Sequence, residues 1–222
     1  MRPREHYVQQ LETLHTELRA LGQLVIVSIT QAITALRQQD GDAAKQIIAN
    51  DTRIDQAQSR LEEHAVAIMA TQQPMARDLR QLIAAIEIAS ELERIGDYAK
   101  GIAKIAVRSA GEPLAKPLVD LPAIAEQGIN MLGAALDAYV NEDGEAARKL
   151  SNDDDSVDEL VSRVRAELIA AIQDDPAITP HAVDLLFVAH NLERIADRTT
   201  NICERVVFLV SGRLEALGAS IR

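Results

Sequence analysis

Two acidic motifs are the part of this sequence whose residue types and spacing could do chemistry. The hexapeptide LERIGD at 92–97 returns 100 residues later as LERIAD at 192–197. Packing in a core would retain the leucine and isoleucine of a duplicated segment, but it does not require charged residues at fixed positions. On a helix, residues four apart lie on neighbouring turns of one face. We therefore expect two carboxylate pairs that can bind a cation, Glu93 with Asp97 and Glu193 with Asp197.

Two further aspartate pairs have the same spacing. They are Asp51 with Asp55 and, in the second half of the chain, Asp154 with Asp158. The first aspartate of each pair falls on or beside a stripe of apolar residues, where a carboxylate loses hydration and needs a cation, a hydrogen-bond donor or a proton. Asn201 follows the second motif by one helical turn and could join its carboxylates. The four pairs would converge if neighbouring helices bring them together.

Oxygen ligands of this kind favour hard or borderline cations such as Mg²⁺, Mn²⁺ or iron, and they suit a zinc site built on thiolates poorly. The alternative is a solvated helix face on which Arg94 and Arg194 form surface ion pairs, each worth less than about 1 kcal/mol. Recurrence of the charges in both halves favours the cation site. His190 precedes Glu193 by one turn, but Ser90 stands at the matching position of the first half. A ligand role for His190 is therefore the less favoured interpretation.

Helices must position these pairs, because apolar residues recur at helical spacing along most of the chain. Glycine, proline and acidic turn sequences interrupt the pattern. The segments between them predict six helices at about residues 5–38, 42–71, 75–109, 118–140, 144–173 and 179–216. The inward face of the second helix is indicated by Ile47, Ile54, Leu61 and Ile68, and that of the third by Leu92, Ile95, Ala99 and Ile102. This geometry places the third-helix carboxylates outside the packed face.

The repeat extends well beyond the acidic motifs. The sequence DGDAAK at 40–45 matches DGEAAR at 143–148, and the same offset relates the two aspartate pairs. An array of only two copies is too short for an extended solenoid. We therefore predict an all-α fold of two tandem three-helix bundles packed side by side. The first spans residues 1–110 and the second 118–222, with a linker at 111–117.

The amino-acid composition excludes several classes of function. With 34 acidic and 23 basic residues and a formal charge of −11, the surface would repel nucleic acids and anionic lipids. The single cysteine, Cys203, excludes an internal disulfide and suits a reducing cytoplasm. The apolar stretches are too short to span a bilayer, and no phosphate-binding loop, nucleophile elbow or dinucleotide turn is present. We expect a cytoplasmic protein without an organic cofactor that meets membranes only through its partners.

The tandem LERIGD and LERIAD segments, each preceded by a helix with an aspartate pair, resemble the PhoU family of phosphate-uptake regulators. The resemblance runs from the first helix to about residue 216 and implies six helices in two similar bundles. It also implies a non-catalytic regulator of phosphate uptake and of the phosphate-starvation response. Such a protein would act as an adaptor between the ATPase subunit of a phosphate ABC transporter and a phosphate-sensing histidine kinase.

The resemblance further implies where metal would bind, because the paired motifs of this family can hold surface clusters of iron or zinc. The matching positions are Glu93, Asp97, Glu193 and Asp197, with Asp51, Asp55, Asp154 and Asp158 as the companion motif. Asn201 matches an Asn of the family pattern, but Gly101 replaces it in the first copy, and Lys104 stands where the second copy has Glu204. Lys100 and Lys104 would also compete with a cation. The first site is therefore expected to bind metal more weakly or to share it with a partner.

Three classes of function stay open at this point. The regulatory adaptor is favoured by the resemblance and by the missing catalytic apparatus, so we expect no enzyme. The alternative is a carboxylate-bridged metalloenzyme of the helical-bundle type, which would need a buried metal. The third is a structural protein whose repeated charges only guide bundle pairing. Long amphipathic helices also lead us to expect a homodimer.

Overall fold

The computed structural model of the protein describes residues 3–111 and 120–217, which form long helices joined by short turns. The helices are α1 (Pro3–Gln38), α2 (Gly41–Gln72), α3 (Arg77–Arg108), α4 (Leu121–Asn141), α5 (Gly144–Leu150), α6 (Asp154–Asp174) and α7 (Thr179–Ser211). No strand occurs in these residues, so the all-α prediction is confirmed. Apart from Gly111, the predicted linker at 111–117 lies outside the described residues.

An aspartate side chain caps the N-terminus of the second helix in each repeat. The Oδ1 atom of Asp40 accepts hydrogen bonds from the backbone N–H groups of Asp42 and Ala43, at 3.1 and 2.9 Å. Asp143 caps α5 in the same way and at the same two distances. A side-chain acceptor here satisfies N–H groups that have no partner inside the helix. The repeated sequence that starts with these aspartates therefore has a structural role.

The predicted fifth helix, 144–173, is interrupted and forms two helices. A 3-10 turn at Ser151–Asp153 separates α5 from α6. The hydroxyl of Ser151 donates to the carbonyl oxygen of Arg148 at 2.8 Å, and such side-chain bonds compete with the regular bonds of a helix. A run of serine and aspartate thus breaks a segment whose apolar residues keep helical spacing. As a consequence, Asp154 lies in the first turn of α6.

The last helix is shorter than the predicted 179–216, because α7 ends at Ser211. Gly212 has a φ of 72°, in the left-handed region that favours glycine at the end of a helix. Its N–H group donates to the carbonyl oxygen of Phe208 at 2.8 Å. Arg80 of α3 donates through Nε to the carbonyl oxygen of Leu209 at 3.3 Å. A cation at this end of a helix is favoured by the helix dipole.

The predicted inward faces are confirmed. The rows Ile47, Ile54, Leu61 and Ile68 of α2, and Leu92, Ile95, Ala99 and Ile102 of α3, are all buried. Glycines allow two close approaches between helices. A Cβ atom on Gly96 would lie 3.0 Å from Cδ1 of Ile54, and one on Gly22 of α1 would clash with Cδ1 of Leu136 on α4. The buried apolar residues of the described chain form a continuous core through both repeats.

Helices α3 and α7 pack against each other in opposite directions and join the two repeats. Near the end of α3, Arg108 pairs with Asp184 in the first part of α7 at 2.5 Å. Nearer the start of α3, Glu87 pairs with Arg205 in the last part of α7 at 3.4 Å. This order establishes the antiparallel arrangement. We call this contact the α3–α7 seam.

In the part of the chain that the structure describes, one helix is long and apolar enough to cross a membrane. It is α1, over Glu5–Gln38, and the test considers length and composition only. The core helix of a soluble protein can pass the same test. Leu14, Leu18, Leu21, Val25 and Ile29 of α1 are each at most 1% exposed, and α1 packs on α2, α3 and α4. Its apolar composition is therefore accounted for by contacts within the core.

We predict that Asp40→Ala and Asp143→Ala each lower the free energy of unfolding by about 1 kcal/mol, because each removes an N-cap acceptor. Urea denaturation followed by circular dichroism measures the change. Asp42→Ala is the matched control, since Asp42 is an exposed residue of the same helical turn and forms a surface pair with Lys45 at 2.9 Å. A loss in the control as large as in the cap variants would contradict the assignment.

Candidate functional site

The acidic residues predicted in the first repeat surround a lysine. We define the first acidic cluster as Asp51 and Asp55 of α2 with Glu93 and Asp97 of α3. The Nζ atom of Lys100 donates to Oδ2 of Asp51 at 2.5 Å and to Oδ1 of Asp97 at 3.5 Å. Asp51 is only 5% exposed, which confirms its predicted place beside the packed face. The ammonium group supplies the positive charge that a buried carboxylate requires.

The four carboxylates of the first acidic cluster interact electrostatically. Burial raises the pKa of Glu93, and the charges of the three neighbouring aspartates raise it further. The pKa of Asp55 is raised by burial and by the charge of Asp51, with Lys100 acting in the opposite direction. The hydrogen bond to Asp51 raises the pKa of Lys100, so the ammonium group stays charged. The structure thus brings together the residues that the sequence predicted for this repeat.

We define the second acidic cluster as Asp154 and Asp158 of α6 with Glu193 and Asp197 of α7. Arg194 contacts Oδ2 of Asp197 through Nη1 at 2.7 Å. Arg165 of α6 contacts Oε2 of Glu193 through Nη2 at 3.7 Å. The Nδ1 atom of His190 lies 3.4 Å from the same glutamate oxygen. His190 therefore lies beside the second acidic cluster and contacts one of its members.

Asp154 is a strongly perturbed carboxyl group of the second acidic cluster. Burial raises its pKa to about 7, and the charges of Asp197, Asp158, Asp155 and Glu193 contribute in the same direction. Within residues 3–111 and 120–217, its buried Oδ1 atom has no hydrogen-bond partner. A carboxyl group in this state needs a proton or a cation.

The two acidic clusters differ at the position that Lys100 occupies. The duplication places Thr200 there in the second repeat. Thr200 is 5% exposed, and its Oγ1 atom is buried without a hydrogen-bond partner among the described residues. A threonine has no charge with which to neutralise Asp154. The first repeat therefore supplies a cation to its buried aspartate, Asp51. In the second repeat the arginines contact Asp197 and Glu193, and Oδ1 of Asp154 and Oγ1 of Thr200 lack hydrogen-bond partners in the described part of the chain.

The α3–α7 seam has a polar centre that joins the two repeats. Burial acts to raise the pKa of Tyr98, but hydrogen bonds from the guanidinium groups of Arg194 and Arg198 outweigh it and lower that pKa. Oε2 of Glu91 accepts from Nη1 of Arg198 at 3.4 Å and from Nδ2 of Asn201 at 3.3 Å. Asn201, which the sequence predicted beside a metal, thus binds across the seam in this structure.

Sequence reasoning missed this polar centre, because most of its residues, unlike Arg194, differ between the two repeats. Tyr98 corresponds to Arg198, and Glu91 corresponds to Asn191. Differences between matching positions were the available signal. Reading it required knowledge that α3 and α7 run antiparallel, since only that arrangement sets Glu91 opposite Arg198.

The two acidic clusters fit a metal ion unequally. In the described part of the chain, no group of three or more His, Cys, Asp or Glu side chains is already gathered around a position for an ion. In the first acidic cluster the ammonium group of Lys100 holds Asp51, the ligand that most needs a cation. The second acidic cluster offers oxygen ligands of the kind hard cations prefer, including the unpartnered Oδ1 of Asp154. Metal binding stays a prediction, and the second acidic cluster fits it better.

Cys203 does not belong to a reactive site. Its side chain is fully buried, and burial raises the pKa of the thiol to about 12. The thiolate is the nucleophilic and metal-binding form, so it is scarce at neutral pH. Cys203 is therefore an inert thiol of the core.

Comparison with known proteins relates the chain to one family over nearly its whole length. The PhoU domain family matches twice, over residues 18–106 and 121–206. The "Phosphate-specific transport system accessory protein PhoU homolog" of Clostridium acetobutylicum is 35% identical over 211 residues, covering 95% of this chain and 96% of that protein. The "Phosphate-specific transport system accessory protein PhoU" of Escherichia coli is 33% identical over 204 residues, covering 92% of this chain and 85% of that protein.

Solved structures agree with this relationship. The crystal structure of the phosphate transport system regulatory protein PhoU from Streptococcus pneumoniae superposes with a TM-score of 0.89 at 32% identity, covering 95% of this chain and 100% of that one. The crystal structure of PhoU from Pseudomonas aeruginosa gives a TM-score of 0.88 at 32% identity, over 93% of this chain and 100% of that one. These likenesses confirm the predicted fold class.

We predict that Asp154→Asn stabilises the metal-free protein at pH 8 and has little effect at pH 4. The pKa of Asp154 is raised to about 7 in the folded state, so its contribution to stability is complete below its unfolded value of about 4 and is lost as the pH rises to about 7. The neutral amide avoids that loss. Thermal unfolding in the presence of a chelator at both pH values measures the effect.

The matched control for this experiment is Asp155→Asn, since Asp155 is an exposed neighbour in the first turn of α6. We expect the control to change the melting temperature much less between the two pH values. An equal gain from Asp154→Asn at pH 4 and pH 8 would show that the carboxyl group does not titrate as described.

Proposed function

Because the chain belongs to the PhoU family, we propose that it is a non-catalytic regulator of phosphate uptake and of the phosphate-starvation response. The observation that carries the proposal is the family match in both repeats, together with the superposition on PhoU crystal structures over at least 93% of the chain. Relatives that match over nearly their full length are named as accessory proteins of a phosphate-specific transport system. The duplicated architecture as a whole is therefore the unit that we expect to function.

The mechanism that we propose is that of an adaptor in the cytoplasm. One surface would contact the ATPase subunit of a phosphate ABC transporter and another a phosphate-sensing histidine kinase, so that transport and signalling respond together. The continuous core supports this proposal, since it makes the two repeats one body that can hold two partners at a defined distance. The homodimer expected from the long helices is part of the same proposal, and light scattering coupled to gel filtration tests it.

We place metal in this proposal at the second acidic cluster. Asp154, Asp158, Glu193 and Asp197 would hold the ion through carboxylate oxygens, and the ion would neutralise their mutual repulsion. Support comes from the raised pKa of Asp154 and from its buried, unpartnered Oδ1 atom among the described residues. A bound ion would hold α6 against α7 and so make rigid a surface that a partner protein could bind.

The two alternatives have less support. A carboxylate-bridged metalloenzyme is not favoured, because the relatives are named as transport accessory and regulatory proteins. A purely structural protein would leave the carboxylates of both acidic clusters dispensable for regulation. That second alternative is tested directly by the experiment below.

We predict that deletion of the gene alters expression of phosphate-starvation genes in phosphate-rich medium. Reintroduction of the wild-type gene should restore their repression. The variant Glu193→Gln/Asp197→Asn should fail to restore repression in full, because it removes two charges from the second acidic cluster while keeping side-chain size. A starvation-responsive reporter measures repression, and circular dichroism establishes that the variant is folded.

The matched control is Glu93→Gln/Asp97→Asn, which changes the equivalent residues of the first acidic cluster. It should restore repression better than the second-repeat variant if only the second acidic cluster needs an ion. Full repression by a variant with all four carboxylates replaced would favour the structural alternative. An unaltered reporter in the deletion strain, under rich and starved growth, would contradict the proposed function itself.

A further inference from the structure

The first acidic cluster is arranged around an ammonium group. Lys100 spans from α3 to α2, where its Nζ atom lies 2.5 Å from Oδ2 of Asp51, and it also reaches Oδ1 of Asp97 at 3.5 Å on its own helix. The lysine side chain is 28% exposed and that of Asp51 is 5% exposed. The pair therefore differs from a surface ion pair, since the carboxylate has lost most of its contact with water.

The second repeat provides an internal comparison for this arrangement. Asp154 corresponds to Asp51, and Thr200 corresponds to Lys100. At these matching positions of the second repeat, Oδ1 of Asp154 and Oγ1 of Thr200 are buried and lack a hydrogen-bond partner in the described residues. The described residues thus show the matching carboxylate once held by a cation from the chain and once with an unpartnered oxygen atom.

We infer that Lys100 is the resident cation of the first acidic cluster and excludes a metal ion from it, so that the two repeats of this chain divide their roles. The first acidic cluster ties α2 to α3 permanently through the ammonium group. The second acidic cluster is left as the one that responds to metal. This inference deepens the metal-binding part of the proposed function and rests on it only for the second repeat.

The charges explain why an ion and the lysine exclude each other. An ion bound to Asp51 and Asp97 would lie within a few ångströms of Nζ, where two like charges repel strongly in a partly buried site. The lysine would have to leave Asp51 and enter water. Loss of a charge at position 100 should therefore create a vacancy that a divalent cation fills.

The test compares Mn²⁺ binding by the wild-type chain with binding by Lys100→Thr, which copies the residue of the second repeat. Mn²⁺ suits oxygen ligands, and electron paramagnetic resonance counts the bound ions. We expect Lys100→Thr to bind at least one Mn²⁺ ion per chain more than the wild type does, and Lys100→Thr/Asp51→Asn to lose that gain. The matched control is Lys104→Thr, which removes the other lysine that the sequence predicted to compete with a cation. Lys104 is exposed on the same helix, and Lys100 is the lysine that contacts Asp51 and Asp97, so this variant should bind as the wild type does.

Several results of these binding measurements would overturn the inference. No gain in Lys100→Thr, or an equal gain in Lys104→Thr, would overturn the inference, because the gain would then be absent or due to net charge alone. Loss of wild-type Mn²⁺ binding in Asp55→Asn/Asp97→Asn would also overturn it, since the first acidic cluster would already hold metal. If Lys100→Thr is unfolded in chelator, Mn²⁺ should restore cooperative unfolding, and failure to do so would count against the inference.

The same measurements separate this inference from the proposed function. Wild-type binding that Asp154→Asn abolishes would support the proposed metal site of the second repeat, whatever Lys100→Thr does. A wild-type chain that binds no Mn²⁺, with a Lys100→Thr variant that does, would uphold the role of Lys100 and remove metal from the proposed function.

Discussion

The antiparallel packing of α3 on α7 is the contact on which the rest of the structure depends. It is the most extensive contact between the two repeats, and ion pairs such as Arg108 with Asp184 and Glu87 with Arg205 run along it. The same two helices contain the LERIGD and LERIAD motifs. Each helix packs against the other with one side. The glutamate and aspartate of its motif lie on another side, which faces α2 in the first repeat and α6 in the second. The seam thus determines where both acidic clusters form.

Comparison of the two repeats separates structural residues from those that have diverged. Asp40 and Asp143 have the same task, since each caps a helix with two hydrogen bonds. Two differences lie on the seam and in an acidic cluster, where Tyr98 corresponds to Arg198 and Lys100 to Thr200. A duplication needs the same caps and core twice, but the contact between the copies and the charge balance of each cluster can differ. This explains how one ancestral unit yields two unlike sites.

The periodicity of apolar residues was enough to predict six helices, their inward faces and the buried position of Asp51, because these depend on local spacing. The 3-10 turn at Ser151–Asp153 was not predicted, since it depends on hydrogen bonds from serine to the backbone. The contact of Asn201 with Glu91 could not be predicted either. It requires the direction and register of α3 against α7, which are set by tertiary packing and leave no mark on helical spacing.

We propose that this chain regulates phosphate uptake by holding two partners, and purification of the tagged protein from its own cells is the first test of that proposal. Membranes would be solubilised after growth at high and low phosphate, and bound proteins identified by mass spectrometry. We expect recovery of the ATPase subunit of a phosphate ABC transporter and of a histidine kinase from phosphate-rich cells. Recovery of neither, with the chain folded and abundant, would contradict it.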